Sequence, residues 1–342
     1  MRTRELLQFM GDKKLRWGII STAAIAKRAV IPGIRESETG VLSAVASRDM
    51  AKAKEFADSH GIPKAYGSYE ELLADKDIDA VYIPLPNHLH KEWTIRAAEA
   101  GKHILCEKPL ALNAEEAQEM VDACAKHGVL LAEAFMYRHH PRYERIKQII
   151  RDGEIGEIRG IRGAFTFNNS AAASNVRFHR EMGGGSIYDV GCYPISAARL
   201  ILGSEPEAAT VQAFFSPQHD MVDMMASGLI EFPGNVALTF DCGMWAAGRN
   251  VLEILGTQGR IELASAFSCK ADNSANFVVY TKGGRREEEP PQVNQYALQS
   301  DDLGNAVLYG KPLAFKPQDA VGNMKVIDAC LKSASNRERV QI

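Results

Sequence analysis

The sequence predicts an α/β fold: an N-terminal doubly wound domain followed by an α+β domain with an open, mostly antiparallel sheet. Three observations carry this. The chain has 342 residues, more than a single core of ~250 residues usually holds. From Leu15 to about Glu133, short apolar runs alternate with helical stretches, which implies a parallel sheet with right-handed crossovers. Beyond Arg151 the texture changes to alternating strands broken by Gly and Pro-Gly turns.

The elements follow in order. "LRWGII", "VLSAVAS", "AVYIPL", "HILCE" and "VLLAEA" are five candidates for buried strands. Helices are predicted between them over Ala23–Arg35, Met50–His60, His88–Ala100 and Ala114–His127. Ligands of such sheets collect at the strand ends, which here carry Ser21-Thr22, Ser47-Arg48, Pro84 to Asn87, Glu107-Lys108 and Glu133. A helix over Pro141–Arg151 leads into strands within "IGEIRGIRGAFTFNN", "ATVQAFFS", "MASGLIEFPGNVALTFDC", "RNVLEILGTQGRIELA" and "ANFVVYTKGG". One helix, Ser186 to Leu202, interrupts them, and two close the chain near Tyr296–Tyr309 and Gln318–Ser333. The expected division is residues 1–14 as a short helical extension, 15–136 as the nucleotide-binding domain and 137–342 as the substrate-binding domain. The last helix is expected to pack back on the first domain, and the active site to sit in the cleft between the two.

Composition narrows the function classes. Hydrophobic residues make up 46% and charged residues 24%, the balance of a globular protein. A formal net charge of -3 gives no electrostatic reason for a nucleic acid or an anionic membrane as partner, so a small molecule is expected. The six cysteines are scattered without zinc-site spacing, and no metal is expected. "MRTRELLQFMGDKK" has no apolar core, and no segment approaches the ~18 apolar residues of a membrane span. A cytoplasmic location is the expectation.

Four stretches carry chemistry. In "GIISTAAIAKR", Ser21, Ala23 and Ala26 stand where the glycines of G-x-G-x-x-G would be; a pyrophosphate needs a tight turn and free helix N–H groups, which small residues can supply. An ordinary strand-to-helix turn is the alternative. "ASRD" places Ser47 and Arg48, with Lys52 one turn on, where NAD-specific folds carry a carboxylate; a guanidinium there suits a 2′-phosphate. The competing role for Arg48 is a solvated helix-start residue, with Asp49 capping the helix. "HILCEKPLALN" presents Glu107 and Lys108 after a buried strand, where charge is costly unless it is used. "GGGSIYDVGCYPISAARLILG" leads three glycines into a helix carrying Asp189 and Tyr193 four residues apart, and an ammonium beside a tyrosine favours its phenolate. Taken alone, such a tyrosine is more often a packing residue.

"CEKPLALN", "AEAFMYRHHP" and "GGGSIYDVGCY", in that order, resemble the glucose-fructose oxidoreductase / inositol dehydrogenase (Gfo/Idh/MocA) family, and look closest to its NADP-dependent D-xylose dehydrogenase and dihydrodiol dehydrogenase branch. The resemblance runs from about Leu15 to the C-terminus. It implies a Rossmann domain and hydride transfer between a nicotinamide and the CH–OH or C=O carbon of a sugar, polyol or cyclic diol, with NADP(H) preferred and NAD(H) possible. By the same resemblance Lys108 is the catalytic lysine, Tyr193 the general acid/base with its pKa depressed by Lys108, and Asp189 a partner of substrate or Lys108. Ser21, Thr22, Ala23 and Ile25 would line the dinucleotide turn. Pro86, Asn87 and His90 would line the nicotinamide ribose, joined by Glu107, and Leu85 and Glu133 would also bind the cofactor. Arg177 lies in a loop that in relatives reaches cofactor or substrate, a plain surface arginine being the alternative. Arg138 and His140 fall where the substrate pocket begins, His139 departs from the family's usual aromatic residue, and Gln295-Tyr296 would reach the cleft. The resemblance also implies a homodimer or homotetramer through the open sheet. Two rival readings share the fold: a non-catalytic sensor, and glycosidase chemistry with retained NAD.

Overall fold

The computed structural model describes residues 13–171, 175–269 and 274–342. The expected helical extension therefore lies outside the described residues, except for Lys13 and Lys14.

The first sheet has six strands, all parallel: β1 (Leu15–Ile20), β2 (Gly40–Ala46), β3 (Lys64–Tyr66), β4 (Ala80–Ile83), β5 (His103–Cys106) and β6 (Leu131–Glu133). Their order is β3-β2-β1-β4-β5-β6. Because the order reverses between β1 and β4, the crossovers leave in opposite directions and open a crevice at the carboxyl ends of these two strands. β1 and β4 are buried almost throughout, which is why they read as continuous apolar runs. The count of five strands is corrected to six. β3 is a three-residue edge strand, half-buried along its length, and has no apolar run to betray it.

Helices α1 (Ile31–Glu36), α2 (Met50–Ser59), α3 (Tyr69–Ala74), α4 (His90–Glu99) and α5 (Ala114–His127) connect the strands. Their starts are written locally: Asp49, Ser68 and Asn113 each accept backbone N–H bonds as N-caps of α2, α3 and α5. α1 does not start as expected, because a π-helical turn, Ala26–Val30, precedes it.

After α6 (Arg142–Arg151) the chain forms a nine-stranded sheet from β7 (Ile158–Asn168), β8 (Ala208–Ser216), β9 (Val222–Phe232), β10 (Val236–Gly243), β11 (Trp245–Gly256), β12 (Gly259–Leu263), β13 (Phe277–Thr281), β14 (Gly284–Glu288) and β15 (Val340–Gln341). The order is β14-β13-β12-β11-β7-β10-β9-β8-β15, antiparallel except where β10 runs parallel to β7. A second π turn, Ile187–Gly191, leads into α7 (Cys192–Leu202). α8 (Gln295–Tyr309) and α9 (Pro317–Asn336) close the chain.

The two sheets share one core. A single apolar cluster runs from Ile104 and Leu131 through Tyr137 and Tyr193 to Leu238 and Ile254. α9 bridges the halves, since Asp328 accepts the Ala114 N–H at 2.8 Å while Ser333 Oγ accepts the Val211 N–H at 2.9 Å. α8 lies so close to α1 that a Cβ on Gly33 would fall 2.6 Å from Cβ of Tyr296. This contact brings the start of α8 to the first sheet's crevice.

Candidate active site

At the end of β1, Ser21 has φ +108, a conformation in which glycine is at home and serine is strained. Its N–H donates to Ala46 O at 3.0 Å, and its hydroxyl is buried with no partner. Thr22, Ala23 and Ile25 follow, half-buried, before the π turn begins. Strain and an orphaned hydroxyl at a strand-to-helix turn fit an anionic group that needs small residues and free donors there. At the end of β2 Ser47 is buried, whereas Arg48 and Lys52 are exposed. The Asp49 carboxylate is used as a cap, accepting from Ala51 N at 2.9 Å and Lys52 N at 3.3 Å, so the charge this loop presents is positive.

The next loops meet at one residue. His90 is completely buried, with Nε2 2.8 Å from Leu85 O and Nδ1 3.0 Å from Pro109 O, and burial lowers its pKa. The expectation that His90 lines a ribose is corrected, because the ring is fully buried with both nitrogens facing backbone carbonyls. It ties the Leu85–Pro86 loop to the Lys108–Pro109 loop instead. Asn87 remains at the surface of the crevice and donates from Nδ2 to Gly183 O at 2.8 Å, joining the first sheet's loops to the glycine stretch.

Lys108 lies where these loops converge. Its Nζ donates to the backbone O of Asp189 at 2.8 Å and sits 3.4 Å from Oδ1, while Arg177 Nε donates to Oδ2 at 2.7 Å. Burial alone would raise the Asp189 pKa, but Lys108 and Arg177 outweigh it and hold it below the usual carboxylate range. Burial likewise works against the Lys108 ammonium, but Asp189, Cys192 and Glu107 together more than offset it, so the lysine pKa is raised. The pair is therefore an ionised one. Glu107, beside it, accepts from the Tyr82 hydroxyl at 2.5 Å and from the Lys108 N–H at 3.3 Å, and burial raises its pKa.

Tyr193 completes the group. The Lys108 ammonium lies 5.0 Å from the centre of the Tyr193 ring, a cation–π arrangement. Phe135, Tyr137, Phe165 and Phe267 surround the ring with centroids 5.1–5.9 Å away. The hydroxyl points to Met136 Sδ at 4.0 Å. Burial first, then Cys192 and Tyr296, push the phenol well above its ordinary pKa. The expected depression by Lys108 is thus corrected: the ammonium faces the ring rather than the hydroxyl, and Asp189 holds its charge.

Three further expectations meet the structure differently. Arg138 is not open to a substrate; its side chain is 6% exposed, pairs with Asp319 of α9 at 2.5 Å and stacks on Phe315 at 3.9 Å. His140 is likewise closed off, 1% exposed, with Nδ1 accepting the Arg142 N–H at 3.2 Å. Glu133 accepts the Leu110 N–H at 2.9 Å and so braces the loop that presents Lys108. Sequence reasoning missed Tyr82, whose hydroxyl needs a polar partner at a buried strand, a usable signal. It also missed Asp223 and Phe165, which come from distant strands, and Phe267, which comes from the bend after β12.

Comparison with known proteins gives the family and the fold. Residues 15–135 match the family model described as an oxidoreductase family with an NAD-binding Rossmann fold, and residues 143–262 match the GFO/IDH/MocA C-terminal domain. The chain is 41% identical to an uncharacterized oxidoreductase of Rhizobium meliloti, covering 94% of this chain and 97% of the relative. It is 37% identical to an NADP(+) D-xylose 1-dehydrogenase of Haloferax volcanii, covering 96% and 100%. Among solved structures, aldose-aldose oxidoreductase from Caulobacter crescentus superposes with a TM-score of 0.89 at 28% identity, covering 96% and 100%. A 3-ketoreductase from Actinomadura kijaniata, solved with NADP and TDP-benzene, gives a TM-score of 0.87 at 31% identity, covering 94% and 98%.

Proposed function

The chain belongs to the GFO/IDH/MocA family of oxidoreductases, and from that premise we propose an NADP(H)-dependent enzyme that moves hydride between the nicotinamide and a CH–OH or C=O carbon of a sugar, polyol or cyclic diol. The observation that carries the reading is the largely buried Lys108–Asp189 pair, flanked by the half-exposed Arg177 and set against the face of Tyr193, beside a strand-end crevice.

Bound NADP(H) would supply or accept the hydride. Ser21, Thr22, Ala23 and Ile25 would hold its pyrophosphate, Ser47, Arg48 and Lys52 its 2′-phosphate, and Leu85, Pro86 and Asn87 its nicotinamide ribose. Lys108, kept charged by Asp189, orients the substrate oxygen. Tyr193 stays a protonated phenol at neutral pH and is the proton donor when that oxygen is reduced. Its aromatic surroundings exclude water, which strengthens the electrostatics of the site. Residues 15–136 form the cofactor half and 137–342 the substrate half. The open face of the second sheet exposes Phe214, Leu229 and Trp245, with Phe214 stacked on Trp245 at 4.6 Å, and we assign it as the interface of a homodimer or homotetramer.

A fluorescence titration with NADPH and NADH, followed by aldoses, inositols and diols at the nicotinamide absorbance, tests the reading. Turnover with one substrate group is expected, and Tyr193→Phe should slow hydride transfer at least ~100-fold with NADPH affinity kept. Tight NADPH binding without turnover across the panel overturns the enzyme reading; an active Tyr193→Phe removes the role of Tyr193.

A further inference from the structure

The helix that carries Asp189 and Tyr193 is held at its start by a residue from another part of the chain. Ser186, at the N-cap position of the π turn, does not cap it. Its hydroxyl instead donates to Asp223 Oδ2 at 2.8 Å, and the Ile187 N–H donates to the same oxygen at 2.7 Å. Asp223 lies on β9, in the second sheet, and is 2% exposed. A remote carboxylate thus does what a capping side chain does, accepting from the free N-terminal donors and placing negative charge at the positive end of the helix.

The glycine stretch is shaped around this contact. Gly185 has φ +119, and a Cβ there would lie 2.0 Å from Asp223 Oδ1. Its carbonyl accepts the Asp189 N–H at 3.1 Å, so the residue packed on Asp223 also closes the turn that carries Asp189. A π turn adds a residue to the helical winding, recurs at functional sites and is rare without tertiary support. Here the support is Asp223 on one side and the Lys108 bond to Asp189 O on the other.

We propose that Asp223 is a positioning residue, which fixes the π turn through Ser186 and Ile187 and thereby sets Asp189 and Tyr193 against Lys108. This rests on the oxidoreductase reading for its kinetic consequence only. Burial raises the carboxyl pKa to about 6, against the Ser186 and Ile187 bonds, so at pH 8 the side chain is ionised.

The experiment uses the full chain at pH 8, with Asp223→Ala, Asp223→Asn and Ser186→Ala. A misplacement near 1 Å costs on the order of 10²-fold in rate, so Asp223→Ala should lose kcat by that factor while KM and NADPH affinity stay near wild type. Asp223→Asn keeps an acceptor oxygen and should recover most of kcat. Ser186→Ala, which removes one donor, should fall between and serves if Asp223→Ala does not fold. In a crystal structure of the most affected variant, the Lys108–Asp189 pair should be open. Wild-type kcat in Asp223→Ala, or a pair unmoved in that structure, overturns the proposal. A wild-type protein inactive on every substrate, together with an opened pair in the variant, sinks the oxidoreductase reading and supports the positioning role.

Discussion

Glu133→Gln offers a perturbation whose size follows from the structure. One carboxyl oxygen accepts the Leu110 N–H and the other is buried without a partner. Burial pushes the pKa from 4.5 to about 7, with Arg138 opposing and Asp319 adding to the shift. Because the folded-state pKa lies above the unfolded one, the protonated carboxyl stabilises fully below about pH 4.5, and that contribution is lost as pH rises through about 7. Ionisation then opposes folding by about 1 kcal/mol at pH 5 and about 3 kcal/mol at pH 8. Glutamine does not titrate, so any fixed cost of the swap cancels between the two pH values. The stability of Glu133→Gln relative to wild type should therefore rise by about 2 kcal/mol from pH 5 to pH 8. With ~2.1 cal/mol/K of unfolding entropy per residue over 342 residues, this is a change of about 3 °C in the difference between the two melting temperatures. Thermal melts of both proteins at the two pH values measure it. A difference that does not change with pH would show that Arg138 and Arg199 keep the carboxylate ionised throughout, and would refute the reasoning.

Two other outcomes follow from exposed residues. Arg48→Ala should weaken NADPH binding by at least ~10-fold and leave NADH nearly unchanged, since a charge-assisted pair with phosphate contributes about 1.5–3 kcal/mol; equal losses in a fluorescence titration would remove Arg48 from 2′-phosphate recognition. Trp245→Glu places charge on the open sheet face beside Phe214 and should shift the oligomer to monomer in light scattering; a wild-type monomer would refute the assignment of that face.

Much of the architecture was legible because it is periodic. Buried strands such as Ala80–Ile83 and capped helices such as Ala114–His127 announce themselves through apolar runs and Asn or Asp caps. The strands missed lack that signal: Gly284–Glu288 is largely charged, and Val340–Gln341 is two residues long. Of the site, Lys108, Asp189 and Arg177 come together, although 81 residues separate Lys108 from Asp189. His90, Arg138 and His140 were read as ligands from their place in motifs. Arg138 finds Asp319 in a distant helix and His90 finds Pro109 in another loop, while His140 is closed off by its own turn, where its Nδ1 accepts the Arg142 N–H.

The doubly wound first half, the strand-end placement of chemistry and the basic loop at Arg48 can be read from the chain alone, because each depends on short-range periodicity and residue type. Which polar groups remain available is set by packing between distant parts of the chain. Whether Lys108 acts on the Tyr193 hydroxyl or on its ring, and whether Arg138 meets a substrate or Asp319, depends on a few ångströms set by helices α7 and α9. A buried charge takes the nearest partner the fold supplies, and that partner is not written beside it in the chain.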